Sequence, residues 1–451
     1  LKQKKMNIIK TKNRHIFTKI PAPGTKKLIK KISKIESRSM HGQVPIAWDK
    51  AKNFNIYDIA GNKFIDFTST IFVTNIGHSN PKLLKYLNQA INGKLIHSYA
   101  YINKIREKYI KKLINFAGKG FQKAFLMSAG TESTEAALKL MRLNGQRLKK
   151  RKLGIICFEG NWHGRTLGAQ MMSGNIKQKE WIGYNDKDIH HLPFPYKNRL
   201  KKISPEKFLI NSLKKLQKKI SLKKDICGVM IETFQGWGAI FYPKKYLKLL
   251  MKICRKNNIL VAFDEMQAGF ARTGYSFGYK HYGVKPDLIC CGKGMGGGIA
   301  LSGVIGKKKI MDLPAVGNMS STNSANPIAC SAGLAVLEEI KTKNLIKNTK
   351  KKGKILLKEL TRIKNVYPNV IEEVNGEGLI AAIIFKQTKE KNINLVLRKL
   401  VENCMSEGLL LVYTGRESIK IGPPLTITID ALVEGIKILE KNIKHTFKKN
   451  D

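Results

Sequence analysis

Residues 259–267 read Ile-Leu-Val-Ala-Phe-Asp-Glu-Met-Gln, and residues 288–294 read Leu-Ile-Cys-Cys-Gly-Lys-Gly. Each is a short, continuous apolar run that stops at a charged or glycine-rich end. Runs that are apolar at every position, rather than at every second one, are how strands covered on both faces read. Five more lie between residues 120 and 306, at 124–127, 153–158, 189–192, 226–231 and 302–305. Amphipathic stretches such as 131–143 and 244–256 separate them. This alternation predicts an α/β layer fold on a mostly parallel, seven-stranded sheet. In such sheets ligands bind beyond the carboxyl ends of the strands, so those ends are where chemistry is sought.

Outside this block the pattern changes. Residues 44–68 read as a hairpin region, with Asp58-Ile59-Ala60-Gly61-Asn62 as its turn. From about 335 onward come long Lys-rich helical stretches. They are followed by an apolar segment at 370–385 punctuated by Gly376 and Gly378, and by strand-like runs at 409–412 and 419–421. The expected organisation is an N-terminal segment, 1–75, that contributes to a small domain, a large α/β domain, 76–335, and a small α+β domain, 336–451.

Composition narrows the classes. The 451 residues are 43% hydrophobic and 25% charged, values of folded globular chains rather than disordered ones. No stretch approaches ~18 consecutive apolar residues, so no membrane-spanning helix is expected. The net charge is +51, yet only thirteen of the 83 basic residues are Arg, and Lys is spread along the whole chain. A nucleic-acid reader would concentrate Arg and aromatics at a contact surface, and no recognition motif is present. Lys on solvated faces is the preferred reading; specific nucleic-acid binding is not expected, although non-specific attraction to polyanions is. The seven cysteines form no CxxC pair, which predicts thiols, no metal site and a reducing, cytoplasmic setting. The first forty residues are basic and poor in acids, for which a transit peptide is the competing reading. Met6 is an alternative start.

Four strand ends stand out. Ser128-Ala129-Gly130-Thr131 follows a strand and opens a helix, an arrangement that offers free N–H groups and the helix dipole to an anion; ordinary N-capping gives the same pattern. Asn161-Trp162-His163-Gly164-Arg165 could stack a flat ligand and hold an anion, or be a surface loop with a structural Trp. Asp264 sits directly at the end of a buried run, where a cationic ligand would offset its desolvation and Gln267 could bond the same ligand; a helix N-cap is the alternative. Lys293 stands among glycines that permit close approach. An amine held away from water has a lowered pKa and attacks carbonyls, whereas most Lys in this chain must be solvated decoration. A P-loop is excluded, because Lys293 is not followed by Ser or Thr in the required frame. Together the four ends describe a ligand with a phosphate, a flat ring, a basic ring nitrogen and an aldehyde. Pyridoxal 5′-phosphate has all four.

From about Asp49 to Thr428 the chain resembles the class III pyridoxal-phosphate aminotransferases of fold type I, the group of 4-aminobutyrate, ornithine and omega-amino-acid aminotransferases. The resemblance is carried by Asp264-Glu265-Met266-Gln267-Ala268-Gly269-Phe270-Ala271-Arg272-Thr273-Gly274 with Lys293 nineteen residues on, by Asp66, Gly77-His78 and Pro81, and by Asn326-Pro327 and Pro423-Pro424-Leu425. It implies that Lys293 forms the Schiff base and shuttles the proton, and that Asp264 keeps the ring nitrogen protonated. It further implies that Gln267 bonds the ring's phenolic oxygen, Trp162 stacks on the ring, Gly130 and Thr131 bind the phosphate, and Glu232 is a supporting carboxylate. Thr322 is implied to reach the phosphate of a neighbouring subunit, which makes the unit a homodimer.

Two positions depart from that family. Where many members carry Gln-Gly-Glu-Gly, this chain has Gln235-Gly236-Trp237-Gly238, and where many carry an Arg before Pro-Pro-Leu, it has Lys420, with Arg416 four residues earlier. Arg165 matches an Arg that holds the substrate carboxylate in the 4-aminobutyrate branch. Arg165, Trp237, Arg416 and Lys420 are therefore the substrate-binding candidates, with Ile71 and Phe72 as pocket walls. The implied activity is transfer of an amino group from an amine or omega-amino acid to a 2-oxo acid by ping-pong half-reactions. Decarboxylating transamination or a 1,2-aminomutase reaction at the same site, and a non-catalytic polyanion-binding protein, are the competing readings.

Overall fold

The computed structural model describes residues 8–387 and 392–447; Met6 lies outside them. The chain divides into two compact units, one of Leu1–Pro81, Trp237–Ala239 and Lys347–Asp451, the other of Lys82–Gly236 and Ile240–Ile346.

The first unit opens with strands β1 (Ile9–Lys10), β2 (His15–Ile16), β3 (Trp48–Lys52), β4 (Asn55–Asp58) and β5 (Lys63–Asp66), in the order β1-β2-β5-β4-β3. The turn expected at 58–62 joins β4 to β5, and the Asp58 carboxylate closes it by accepting from Ala60 N at 3.0 Å and Asn62 N at 2.9 Å. Just after β5, Ser69, Thr70, Ile71 and Phe72 have φ of 44, 52, 60 and 69°. A left-handed turn of non-glycine residues costs roughly 1–2 kcal/mol per residue, so something must hold it. Asp66 does: Oδ1 accepts from Thr68 N and Thr68 Oγ1, both at 2.7 Å, while Oδ2 accepts from Ser69 N at 3.1 Å and meets His78 Nε2 at 2.7 Å.

The second unit carries the main sheet: β6 (Lys123–Met127), β7 (Gly154–Phe158), β8 (Ile189–Leu192), β9 (Ile226–Glu232), β12 (Leu260–Asp264), β13 (Leu288–Cys291) and β14 (Ser302–Gly306), with a small ribbon of β10 (Phe234–Gln235) and β11 (Ile240–Phe241) after β9. The order is β6-β14-β13-β12-β9-β7-β8. β14 runs antiparallel to both of its neighbours, β6 and β13, and the other pairings in this sheet are parallel. All seven strands match the apolar runs, and β7, β9 and β13 are buried at every position. Helices α1 (Lys104–Ala117), α2 (Gly130–Leu148), α3 (Lys244–Lys256) and α4 (Pro327–Thr342) belong to this unit. The α2 residues Ala136, Ala137, Leu140 and Met141 pack with Met230, Ala262 and Val304 of the sheet. Each large apolar side chain so buried stabilises the fold by roughly 1.5–3 kcal/mol. Residues 335 and 336, the expected boundary, lie inside α4; the division by contacts comes at 346/347.

The remainder of the first unit contains all but the first two residues of α5 (Leu345–Val366), then β15 (Ile371–Glu377), β16 (Ile380–Phe385), α6 (Ile393–Ser406), β17 (Leu409–Leu410), β18 (Val412–Tyr413), β19 (Ser418–Ile421) and α7 (Ile429–Phe447). The run at 409–412, expected as one strand, is two. Leu409 and Leu410 pair with Ile65 and Asp66 of β5, whereas Val412 and Tyr413 pair with Lys420 and Ile419. One apolar run thus serves two sheets, and periodicity does not encode which partner each half takes. Among the described residues no helix is long and apolar enough to cross a membrane. All seven cysteines are buried, unpaired thiols.

Candidate active site

The neighbouring parallel strands β9 and β12 are in a register that sets Glu232 opposite Asp264. Paired positions point to the same face of a sheet, so both carboxylates emerge on one side, each 5% exposed. The end of β13 contributes Lys293, the start of α2 contributes Gly130 and Thr131, and the loop after β7 contributes Trp162 and His163. These residues, with Gly164, Met266 and Gln267, line one cavity of 180 Å³. Seven of the twelve candidate residues therefore meet at one place: Gly130, Thr131, Trp162, Glu232, Asp264, Gln267 and Lys293.

Charge is arranged around the amine. Burial lowers the Lys293 pKa, and the carboxylates of Asp264 and Glu232 act in the opposite direction. Asp264 Oδ2 lies 2.9 Å from His163 Nδ1, and Oδ1 accepts from Met266 N at 3.0 Å. Its orientation is thus fixed on both oxygens. The other ring nitrogen of His163, Nε2, is buried with no protein partner. Glu232 Oε2 accepts from Trp162 N at 3.0 Å and Gly236 N at 3.4 Å, tying the Trp162 loop to the residue after β10. Gly236 is required there by space: a Cβ would lie 2.3 Å from Gln267 Nε2 and 2.9 Å from Glu232 Oε1.

At the helix start, Glu132 Oε2 accepts from Ser128 N at 2.9 Å and Ala129 N at 2.6 Å. The amides of Gly130 and Thr131, in the first turn of a 19-residue helix, have no intrahelical carbonyl to bond. Thr131 Oγ1 lies 2.5 Å from Thr166 Oγ1, whose hydroxyl donates to Glu135 Oε1 at 2.6 Å. Gly164, with φ of 142°, closes over this pair, and a Cβ there would lie 2.4 Å from Thr131 Oγ1. The exposed Arg165 stacks on Trp162, with its guanidinium carbon 4.6 Å from the ring centroid.

Thr322 is exposed and does not line the cavity; its carbonyl accepts from His97 Nε2 at 2.9 Å. Trp237, Arg416 and Lys420 belong to the first unit, where each cation covers an aromatic face: Arg416 lies 3.9 Å from the Trp237 ring and the buried Lys420 4.3 Å from that of Phe72. Ser418 Oγ donates to Trp237 O at 2.8 Å. Phe72 is buried and Ile71 exposed.

The donor set fits pyridoxal 5′-phosphate. A carboxylate can face a ring nitrogen, a partly desolvated amine can meet an aldehyde, an indole can cover a ring and helix-start amides can take a phosphate. Sequence reasoning missed three contributors. His163 was legible only as a neighbour of Trp162, since no spacing says that it reaches Asp264, 101 residues away. Met266 and Glu265 stood inside the quoted motif with no role of their own.

Known proteins are similar to this chain along most of its length. The family model described as "Aminotransferase class-III" matches residues 37–443. An acetylornithine aminotransferase of Clostridium acetobutylicum is 32% identical over 420 residues, covering 92% of this chain and 100% of that protein. A 4-aminobutyrate aminotransferase of Mycobacterium leprae is 30% identical, covering 95% and 98%. The crystal structure of acetylornithine aminotransferase from Elizabethkingia anophelis superimposes with a TM-score of 0.78 at 26% identity, covering 93% of this chain and 99% of that one.

Proposed function

The chain belongs to the class-III aminotransferase family, a pyridoxal-phosphate-dependent group of transferases, and from that premise we propose that its amino donor is an omega-amino acid of the ornithine or 4-aminobutyrate type and its acceptor a 2-oxo acid. The observation that carries the reading is the convergence of Lys293, Asp264, Trp162 and the Gly130–Thr131 helix start on one cavity.

When bound, the cofactor supplies an electron-withdrawing ring that stabilises negative charge at the carbon losing its proton. This chain's residues do the rest. Lys293 offers a desolvated amine whose Nζ, once free, takes and returns the substrate proton. Asp264 keeps a proton on the ring nitrogen, and His163 holds that carboxylate in place. Gly130 and Thr131 fix the phosphate through their amides, Gln267 donates to the phenolic oxygen, and Trp162 covers the ring and keeps water from it. Glu232 braces the Trp162 loop.

For the substrate, Arg165 is a planar fork suited to a carboxylate. Arg416 or Lys420 would take a second carboxylate. Trp237 replaces a residue that could hold a cation by a salt bridge, and holds Arg416 by stacking instead. An omega-amino acid is therefore favoured over glutamate as donor. The relatives' names, acetylornithine and 4-aminobutyrate aminotransferase, support the same class.

A homodimer in which Thr322 serves the partner's phosphate belongs to this proposal. Exposed apolar side chains at Ile91, Leu95, Ile96, Tyr101 and Ile102 support it, because such a concentration marks a contact surface. A cytoplasmic setting is supported by the seven buried thiols. The test is a panel of amines followed by the cofactor's absorbance change. Acetylornithine, ornithine or 4-aminobutyrate should react; a panel in which no omega-amino acid changes the spectrum would refute the substrate class.

A further inference from the structure

Glu265, the residue that follows Asp264 and β12, is a fully buried carboxylate, 0% exposed, that does not line the cavity. It is not alone. Thr233, one residue past Glu232, donates from Oγ1 to Glu265 Oε1 at 2.6 Å. Glu265 Oε2 accepts from Gly278 N at 2.6 Å and Oε1 also from Tyr279 N at 2.7 Å. The Tyr282 hydroxyl donates to Thr233 O, and Thr233 N to Asp264 O at 3.3 Å. The single helical turn Gly278–Tyr282 thus seals the ends of β9 and β12 from behind. The fit is close: a Cβ on Gly278 would lie 2.8 Å from Thr233 Cγ2.

The geometry has a direct consequence for the cavity. Glu232 and Asp264 are cross-strand partners, and the Thr233–Glu265 bond joins the two residues that follow them. We propose that Thr233 and Glu265 form a positioning clamp that holds the ends of β9 and β12 together, and so sets the spacing at which Glu232 and Asp264 present their carboxylates to the cofactor. The clamp rests on the assignment of those two carboxylates to pyridoxal phosphate.

The clamp is sensitive to pH. Burial raises the Glu265 pKa to about 7, against the three hydrogen bonds, which lower it; the charge of Asp264 adds to the rise. The other titratable groups that interact with it are Cys291 on β13 and Tyr279 and Lys280 on the 278–282 turn. Above about pH 7 the carboxylate is ionised and accepts all three bonds at full strength; below it, a proton occupies one oxygen and the clamp loosens.

The test is the dissociation constant of pyridoxal phosphate from the full chain, measured by absorbance between about pH 5.5 and 8.5, a range that brackets this pKa. Thr233→Val removes the hydroxyl at nearly constant volume and should weaken binding about tenfold at pH 8.5, the effect of one lost hydrogen bond to a charged group. Thr233→Ser keeps the hydroxyl and should stay within about threefold of the wild type. For Glu265→Gln, the ratio of its dissociation constant to the wild-type value should be near one at the acid end and rise to about tenfold at the alkaline end, since the wild type itself loses the charge on acidification. A purely structural role would leave that ratio independent of pH. Thr233→Val binding as the wild type does, or a pH-independent Glu265→Gln ratio, overturns the clamp while leaving the cofactor assignment in place. A wild-type protein that bound no pyridoxal phosphate would overturn the assignment, and the clamp with it.

Discussion

Gly236→Ala is the sharpest perturbation of the cavity, because it adds one carbon at a known place. Gly236 has no left-handed φ, so alanine brings no backbone strain and the effect is purely one of space. The new Cβ would lie 2.3 Å from Gln267 Nε2 and 2.9 Å from Glu232 Oε1. Carbon needs about 3.5 Å from such neighbours, so the Gln267 amide must withdraw by about 1 Å. That displacement is enough to break the bond it would give to the cofactor's phenolic oxygen. Losing one such bond costs about 1–1.5 kcal/mol, or roughly tenfold in cofactor affinity. The melting temperature of the apo-protein should hardly change, since the moved atoms are the ends of side chains. A double-mutant cycle with Gln267→Ala isolates the cause. Once Gln267 is truncated only the milder approach to Glu232 Oε1, at 2.9 Å, remains, so the double variant should bind the cofactor within about 0.5 kcal/mol of Gln267→Ala alone. Cofactor titration followed by visible absorbance gives all four constants. Additive losses, about a hundredfold in the double variant, would refute the reasoning, and so would an unchanged affinity in Gly236→Ala.

Other outcomes follow from the same geometry. Lys293→Ala should abolish the link to protein that borohydride fixes, read as loss of the covalent label by mass spectrometry; a label retained on the variant would remove Lys293 from its role. His163→Phe keeps a ring beside Asp264 but removes its hydrogen bond, so kcat should fall roughly 10–100-fold, the effect of one bond to a charged group, while the protein still folds and binds cofactor; an unchanged kcat would mean that Met266 N alone orients the carboxylate. Arg165→Met should cost about 1–2 kcal/mol in kcat/KM for a carboxylated donor and little for a donor without a carboxylate, the modest size reflecting a guanidinium that is exposed and screened. An omega-amino acid should convert the cofactor to its amine form faster than glutamate does. Rapid half-reaction with glutamate, insensitive to replacement of Arg416 and Lys420, would count against the substrate reading.

What was legible in the chain and what was not divides along a physical line. Strands buried on both faces leave a continuous apolar signature, and all seven strands of the main sheet were found by it. Asp264 and Lys293 were legible because a charge at the end of such a run contradicts its surroundings. Partners chosen in three dimensions leave no such mark. Nothing in the run at 409–412 says that its halves join different sheets, and nothing near residue 70 announces four left-handed residues held by Asp66. His163 is the same case at the active site.

Three of the buried carboxylates, Glu232, Asp264 and Glu265, show where that line runs. Asp264 is the last residue of β12 and lines the cavity, whereas Glu265, the next residue, does not. A carboxylate turned into the interior with no partner would be untenable. The fold resolves this with one hydroxyl and two backbone amides, which come from Thr233 and from the turn at Gly278 and Tyr279. Neutral donors leave the Glu265 pKa raised, to about 7, where a salt bridge would have lowered it. A carboxyl group with a folded-state value above its ordinary one favours the folded protein most at low pH, and that contribution is lost as pH rises from about 4.5 to about 7. In that window the same ionisation that tightens the clamp behind the cofactor carboxylates works against the stability of the fold.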